Sequence, residues 1–343
     1  MIEHSLRFGP KQALIGTFCL PEPSFDAFAK ARTGIVFFNS GIVHRVGPHR
    51  INVNAARLLA RQGIPSLRFD LSGLGDSGRI SDGRSFEEQA VADLRAAMTA
   101  LGEAAGVDRF GLFGFCSGAY HGYHAAQVDA RVAGLLLFDA YRYPTVRAHL
   151  NRLSLRFRQY GIARNTARIG IKLLHQLAAR LRDGHSKTPV SRAPSAGFIV
   201  DHTSKQDFAA GIARLLDRGV SVAMAFAGDG FEVYNYPRQF HDAFRRLGIA
   251  DRVDTSFFPD LDHVVTGVAA QQTLVDHVAR WARQLAAVGQ DARGSRSAVS
   301  DFAMERGART AGPERAEPAH WNGALPGAGS GAPAEAWRAS SAR

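Results

Sequence analysis

Gly111-Leu112-Phe113-Gly114-Phe115-Cys116-Ser117-Gly118-Ala119 is the stretch on which the reading of this chain turns. An apolar run, 109–115, passes into Gly-x-Cys-x-Gly, and a helical pattern over 117–127 follows at once. A strand that turns this sharply into a helix holds its central residue in a strained conformation. Glycines two positions to either side let strand and helix approach without a clash. Gly114 and Gly118 stand in those places around Cys116, whereas centring the turn on Ser117 would put Phe115 and Ala119 there. The glycine spacing therefore selects Cys116 as a nucleophile. It sits at the amino end of a helix, where the dipole and unpaired N–H groups favour a thiolate. The backbone N–H of Ser117 becomes a donor for an oxyanion.

Strand and helix alternate on both sides of this turn. Apolar runs over 13–20, 34–38 and 65–69 read as strands, with a helix over 54–62 between the second and third. Ser85 followed by Glu88 is a capping-box signature, and the helix it opens carries Ala90, Leu94, Ala97, Met98 and Leu101 at helical spacing. A strand over 132–138 completes the strand–helix–strand order, which predicts an α/β fold with a mostly parallel sheet covered by helices. The alternation breaks after 140 and resumes with strands at 198–200, 220–226 and 253–258 and helices at 206–217, 237–247 and 267–285. The expected organisation is a core of 1–140 and 196–286, an inserted helical cap over 141–195, and a disordered tail over 287–343. The tail is rich in Gly, Ala, Ser, Arg and Pro, too poor in apolar area to offset its ordering entropy.

Composition narrows the function classes. The 343 residues, 45% hydrophobic, suffice for one large core. Two cysteines, Cys19 and Cys116, make neither a disulfide framework nor a paired-cysteine zinc site, so no metal or cofactor is expected. The sequence has no apolar run of about 18 residues and no signal-peptide pattern at its start, which predicts a cytoplasmic protein. The net charge of +11 is concentrated: residues 141–195 hold twelve Lys or Arg against a single acid, Asp183. No nucleic-acid-binding motif accompanies that charge, so nucleic acid is not an expected partner. The cap instead pairs apolar positions (Val146, Leu150, Leu153, Phe157; Ile171, Leu174, Leu177, Leu181) with arginines. Its apolar faces suit an acyl or ring pocket, and its cationic face suits an anionic carrier, glycan or membrane surface.

A nucleophile needs a base, and the base an orienting acid. His263, in the loop between the strand over 253–258 and the last helix, is the one histidine so placed. For the acid, Asp229 follows the strand over 220–226 and is the first choice; Asp139, after the strand over 132–138, is its rival, and Asp262 is expected to shape the His263 loop. A second oxyanion donor is expected from the loop Phe38-Asn39-Ser40-Gly41-Ile42, as the N–H of Gly41 or Ile42. Beyond it His44, Arg45, His49 and Arg50 either bind an anionic substrate group, with Arg45, His49 and Arg50 the candidates, or pair with Asp70 and Asp76 and fix the loops.

Taken together, the loop 39–50 with its Arg-Val-Gly-Pro-His-Arg run, Arg68-Phe69-Asp70-x-x-Gly-x-Gly-Asp-Ser-Gly78, the Cys116 turn, Gly228-Asp229-Gly230 and Asp262-His263 resemble α/β-hydrolases. Among these the chain looks most like the serine-aminopeptidase-like hydrolases, especially those associated with exosortase and exopolysaccharide gene clusters. The resemblance covers about residues 10–285 apart from much of the cap. It implies Cys116 as nucleophile, Asp229 as acid, His263 as base, and oxyanion N–H groups from Ser117 and the Gly41 loop. The departure is cysteine where serine is usual, a replacement that dienelactone-hydrolase-like enzymes share. A thiolate attacks readily but also leaves readily, so thioesters, activated esters and lactones suit it better than amides. Two functions are thus expected to compete. One is a hydrolase or acyltransferase of small-molecule or carrier-bound acyl substrates, working through an acyl-Cys116. The other is a catalytically inactive member of the fold that binds partners through its basic cap, for which Cys116 would have no partner within hydrogen-bond reach.

Overall fold

The computed structural model describes residues 1–22, 32–80, 82–155, 203–228 and 233–307, the last of these by backbone alone from 289 onward. The chain divides into two compact units, Met1–Ser295 and Arg296–Arg343. In the first unit the described strands are β1 (Ile2–Phe8), β2 (Leu14–Leu20), β3 (Thr33–Phe37), β4 (Ser66–Phe69), β5 (Arg109–Phe115), β6 (Val132–Phe138), β7 (Ser221–Ala227) and β8 (Asp254–Phe258). They form one sheet in the order β1-β2-β4-β3-β5-β6-β7-β8. From β4 to β8 all pairings are parallel, while β2 runs antiparallel to both β1 and β4.

The parallel strands are apolar throughout because both of their faces are covered. Side chains alternate between two cores. Val36, Leu112, Leu135, Leu137, Met224 and Phe226 enter one of them. Ile35, Phe37, Phe113, Leu136, Phe138 and Ala225 enter the other. The first core is closed by α2 (Phe86–Ala105), α3 (Gly118–Val128), α5 (Lys205–Asp217) and α6 (Gln239–Phe244). The second is closed by α1 (Ile51–Arg61) and by Leu274, Val278, Ala282 and Leu285 of α7 (Val268–Gly307). Each Leu or Phe so buried contributes about 1.5–3 kcal/mol relative to exposure. The expected capping box is present: Ser85 Oγ accepts the Glu88 N–H, and the Glu88 carboxylate accepts the Ser85 N–H.

The structure departs from the sequence reading in several places. The edge strand β1 was not foreseen, because Ile2–Phe8 mixes exposed and half-buried positions without an apolar run. Helix α7 continues to Gly307, through the first 21 residues of the expected tail, whose remainder from 308 lies outside the described residues. Ala and Arg favour helix in that extension although Gly and Ser are as frequent as Arg, and lengthening a helix already nucleated adds a hydrogen bond per residue without a new nucleation cost. Of the expected cap, 146–155 is helical (α4), while 156–202, including the expected strand at 198–200, lies outside the described residues. None of the described helices is long and apolar enough to cross a membrane.

Candidate active site

The site lies where β3, β5, β6 and β8 deliver their carboxyl ends. β5 stops at Phe115, and Cys116 takes φ +52, a left-handed conformation that costs a non-glycine residue about 1–3 kcal/mol. The Cys116 N–H donates to the Phe138 carbonyl (2.9 Å), tying the turn to β6. The glycine spacing has a direct steric basis. A Cβ on Gly114 would stand 2.5 Å from the Ala119 Cα, and one on Gly118 would stand 2.5 Å from the Asn39 carbonyl oxygen. The first contact sets strand against helix, and the second sets the helix against the loop after β3.

His263 reaches the thiol from the loop after β8, with Nε2 3.2 Å from Cys116 Sγ. That loop is held by the Asp262 carboxylate, which accepts the Thr266 N–H at 3.1 Å, and is tied to the end of β7 by the Gly228 N–H on the Leu261 carbonyl at 3.0 Å. The other ring nitrogen, Nδ1, is hydrogen-bonded to Oδ2 of Asp139. Asp139 follows β6 with φ +53, is buried, and has the Arg142 guanidinium 3.4 Å from the same oxygen. Among the described residues, the carboxylate bonded to Nδ1 is that of Asp139, the rival candidate of the sequence reading. Asp229 lies outside the described residues. The left-handed backbone beyond β6 brings the Asp139 carboxylate to the histidine loop, a turn that no sequence pattern marks. Arg142, beside the acid, was not foreseen in that role.

The electrostatics follow from these contacts. The Asp139 carboxylate and the Cys116 sulfur, both bonded to His263, push its imidazolium up to about 10 against the opposing effect of burial. Burial of the Cys116 thiol favours its neutral form, but the His263 hydrogen bond and charge and the Ser117 N–H outweigh it, so the thiol is held below its ordinary range. Both shifts favour the charged forms, a thiolate facing an imidazolium. Cys19, by contrast, is pushed up to about 11 by burial and by nearby Glu3.

The loop after β3 contains the turn Ser40–Val43, closed by the Val43 N–H on the Ser40 carbonyl. Gly41 faces the nucleophile turn, but its N–H donates to the Ser117 hydroxyl at 2.6 Å. Ile42 is 78% exposed. Behind the loop, fully buried Asp70 accepts from Asn39 Nδ2 (2.8 Å), the Arg45 N–H (2.7 Å) and the Arg45 guanidinium (2.6 Å). Of the residues expected to meet an anion, Arg45 is thus turned inward to fix the loop, while His49 and Arg50 are exposed before α1. His44, Asp70 and Asp76 converge closely enough to hold a metal ion, but the Arg45 guanidinium already contacts all three, at 2.6–2.7 Å.

The sheet order, the nucleophile turn after β5 and the histidine loop after β8 together make this an α/β-hydrolase fold. No family model matches the sequence, and no curated protein matches it. Among solved structures the chain is similar to an α/β serine hydrolase without a lid from Xanthomonas campestris, at 17% identity over 82% of this chain and 94% of that one, with a TM-score of 0.45. It is similar to a proline iminopeptidase of Mycobacterium smegmatis at 17% identity, over 84% and 100% of the two chains, with a TM-score of 0.46. Est1E from Butyrivibrio proteoclasticus, solved with ferulic acid bound, aligns at 13% identity over 80% and 96%, with a TM-score of 0.47.

Proposed function

We propose that this protein is a hydrolase of ester or thioester substrates that works through an acyl-Cys116 intermediate, with His263 as acid and base and Asp139 as its orienting carboxylate. The observation that carries the reading is the position of His263, 3.2 Å from the sulfur through one ring nitrogen and bonded to buried Asp139 through the other. A binding protein that had lost catalysis has no physical reason to keep a strained cysteine, an imidazole and a buried carboxylate in register. The resemblance to exosortase-associated hydrolases belongs to the same proposal and rests on the loop 39–50 and the turn motifs.

In the first half-reaction the Cys116 thiolate attacks the acyl carbon, a C–S bond forms, and the carbonyl electron pair moves to oxygen. Return of that pair expels the alcohol or thiol, which takes the proton from His263 Nε2. In the second half-reaction His263, now neutral, removes a proton from water, and the resulting hydroxide attacks the thioester. Collapse releases the acid and restores thiolate and imidazolium. Thioesters and activated esters fit because their leaving groups compete with a thiolate, whereas an amine would be expelled less readily than the cysteine itself. The basic stretch over 141–195 would then receive an anionic part of the substrate or its carrier.

The test is incubation with short-chain p-nitrophenyl esters and acyl thioesters, followed by intact mass, for the wild type, Cys116→Ala and His263→Ala. The expected result is acyl adducts and turnover in the wild type and neither in Cys116→Ala. Turnover unchanged in Cys116→Ala, or neither acylation nor turnover in the wild type, would remove the reading.

A further inference from the structure

Ser117 is a helix N-cap that does not cap. A serine there ordinarily turns its oxygen back to an N–H of the first helical turn. Ser117 instead has helical backbone angles, φ −63 and ψ −28, and its side chain makes no capping bond. The hydroxyl oxygen lies 2.6 Å from the Gly41 nitrogen and accepts that N–H. The Ser117 backbone N–H, meanwhile, lies at the amino end of α3 next to the nucleophile and helps hold its thiol below the ordinary range. The N–H and the hydroxyl of this half-buried residue both belong to the position next to the nucleophile, and the hydroxyl stands against the loop after β3.

This arrangement changes the account of the oxyanion hole. Gly41 N–H is already engaged, and a single N–H has one proton to give. The Ser117 O–H proton has no acceptor among the described residues. A hydroxyl that accepts an N–H bond becomes the stronger donor, because successive hydrogen bonds polarise one another.

We propose that the Ser117 hydroxyl is the second donor of the oxyanion hole, with Gly41 N–H acting behind it. The inference rests on the acyl-cysteine reading above. As the C–S bond forms, the sulfur loses its charge and gives up the Ser117 N–H, and the oxygen that receives the carbonyl pair accepts the Ser117 N–H and the Ser117 O–H together. No proton leaves Ser117, and when the pair returns to carbon both bonds relax. The donor acts on charge present only in the transition state and intermediate, so its loss falls on turnover rather than on substrate binding.

The experiment compares Ser117→Ala and Ser117→Thr with the wild type and Cys116→Ala on the best ester or thioester of the panel, with thermal unfolding as the folding control. Ser117→Ala should lose about 100-fold in kcat with KM changed less than threefold, the scale of one oxyanion donor, and Ser117→Thr should recover most of it. A second readout is inhibition by a short aliphatic aldehyde, whose hemithioacetal oxygen occupies the same hole. Its Ki should rise in Ser117→Ala in step with the loss in kcat. If Ser117→Ala turns over and binds the aldehyde as well as the wild type or better, Gly41 N–H serves the oxyanion directly and the inference is overturned while the acyl-cysteine reading stands. If Cys116→Ala keeps wild-type turnover, or the wild type is neither acylated nor active, both fall together.

Discussion

Asp139 and His263, 124 residues apart in the chain, are joined by a hydrogen bond between Oδ2 and Nδ1. The bond fixes which nitrogen of the imidazole faces the thiol. Its acceptor is buried and steadied by Arg142, so the carboxylate has little freedom to turn away. Everything proposed for Cys116 depends on this pair, because a histidine free to rotate could neither stabilise the thiolate nor return its proton to the leaving group.

Asp139→Asn should therefore leave the protein folded and lower kcat by about 100-fold to 10,000-fold, since an asparagine can hold the wrong tautomer. Asp229→Asn is the matched comparison and should retain activity within a few-fold. Steady-state kinetics on both variants decides the assignment: a deep loss in Asp229→Asn with Asp139→Asn still active would transfer the acid role to Asp229.

The thiolate–imidazolium pair predicts a distinctive pH dependence. Cys116 ionises below its ordinary range and His263 stays protonated up to about 10, so kcat/KM should rise on the acid side at a midpoint below the usual thiol range and fall as pH approaches 10. His263, raised above its unfolded value, adds stability that is complete below about 6.5 and lost as pH rises through about 10. Cys116, depressed, adds stability present above its unfolded value near 9 and lost as pH falls through its folded value. Iodoacetamide at pH 7 should add one group, at Cys116, because Cys19 is buried and pushed up to about 11. Alkylation of Cys116 with a midpoint near 8.5–9 would mean that no ion pair forms.

Gly118→Ala tests the packing of helix α3 on the loop after β3. The new methyl would meet the Asn39 carbonyl at 2.5 Å, a contact between two backbone segments that neither can relieve by a rotamer change. A destabilisation of about 1–3 kcal/mol is expected, seen as a lowered midpoint in urea, with activity reduced because the same loop carries Gly41. A midpoint equal to wild type would show that the loop yields freely.

The buried carboxylate behind that loop separates structural from surface charge. Asp70→Ala leaves the Arg45 guanidinium with Asp76 alone and strands two N–H donors, and should cost about 2–5 kcal/mol. Asp76→Ala removes a carboxylate that is 55% exposed and meets the same guanidinium, and should cost at most about 1 kcal/mol. Equal losses from the two substitutions would contradict this division.

The sequence by itself determined the alternation of strand and helix, the turn at Cys116 and the loop histidine, because each is written in local pattern. Continuous apolar runs mark strands buried on both faces, the glycine spacing marks a close approach, and the Ser85–Glu88 box is complete within four residues. Edge strand β1 escaped because a strand with one neighbour and much exposure needs no apolar run. Only the tertiary structure brought Asp139 to His263, since Asp139 and Asp229 both follow strands in the sequence and the contact depends on a left-handed backbone turn at Asp139. It alone turned Arg45 inward onto Asp70, and it alone set the Ser117 hydroxyl against Gly41 N–H across 76 residues. Local pattern fixes which elements form, whereas the direction of a side chain at a strand end depends on atoms contributed by distant segments.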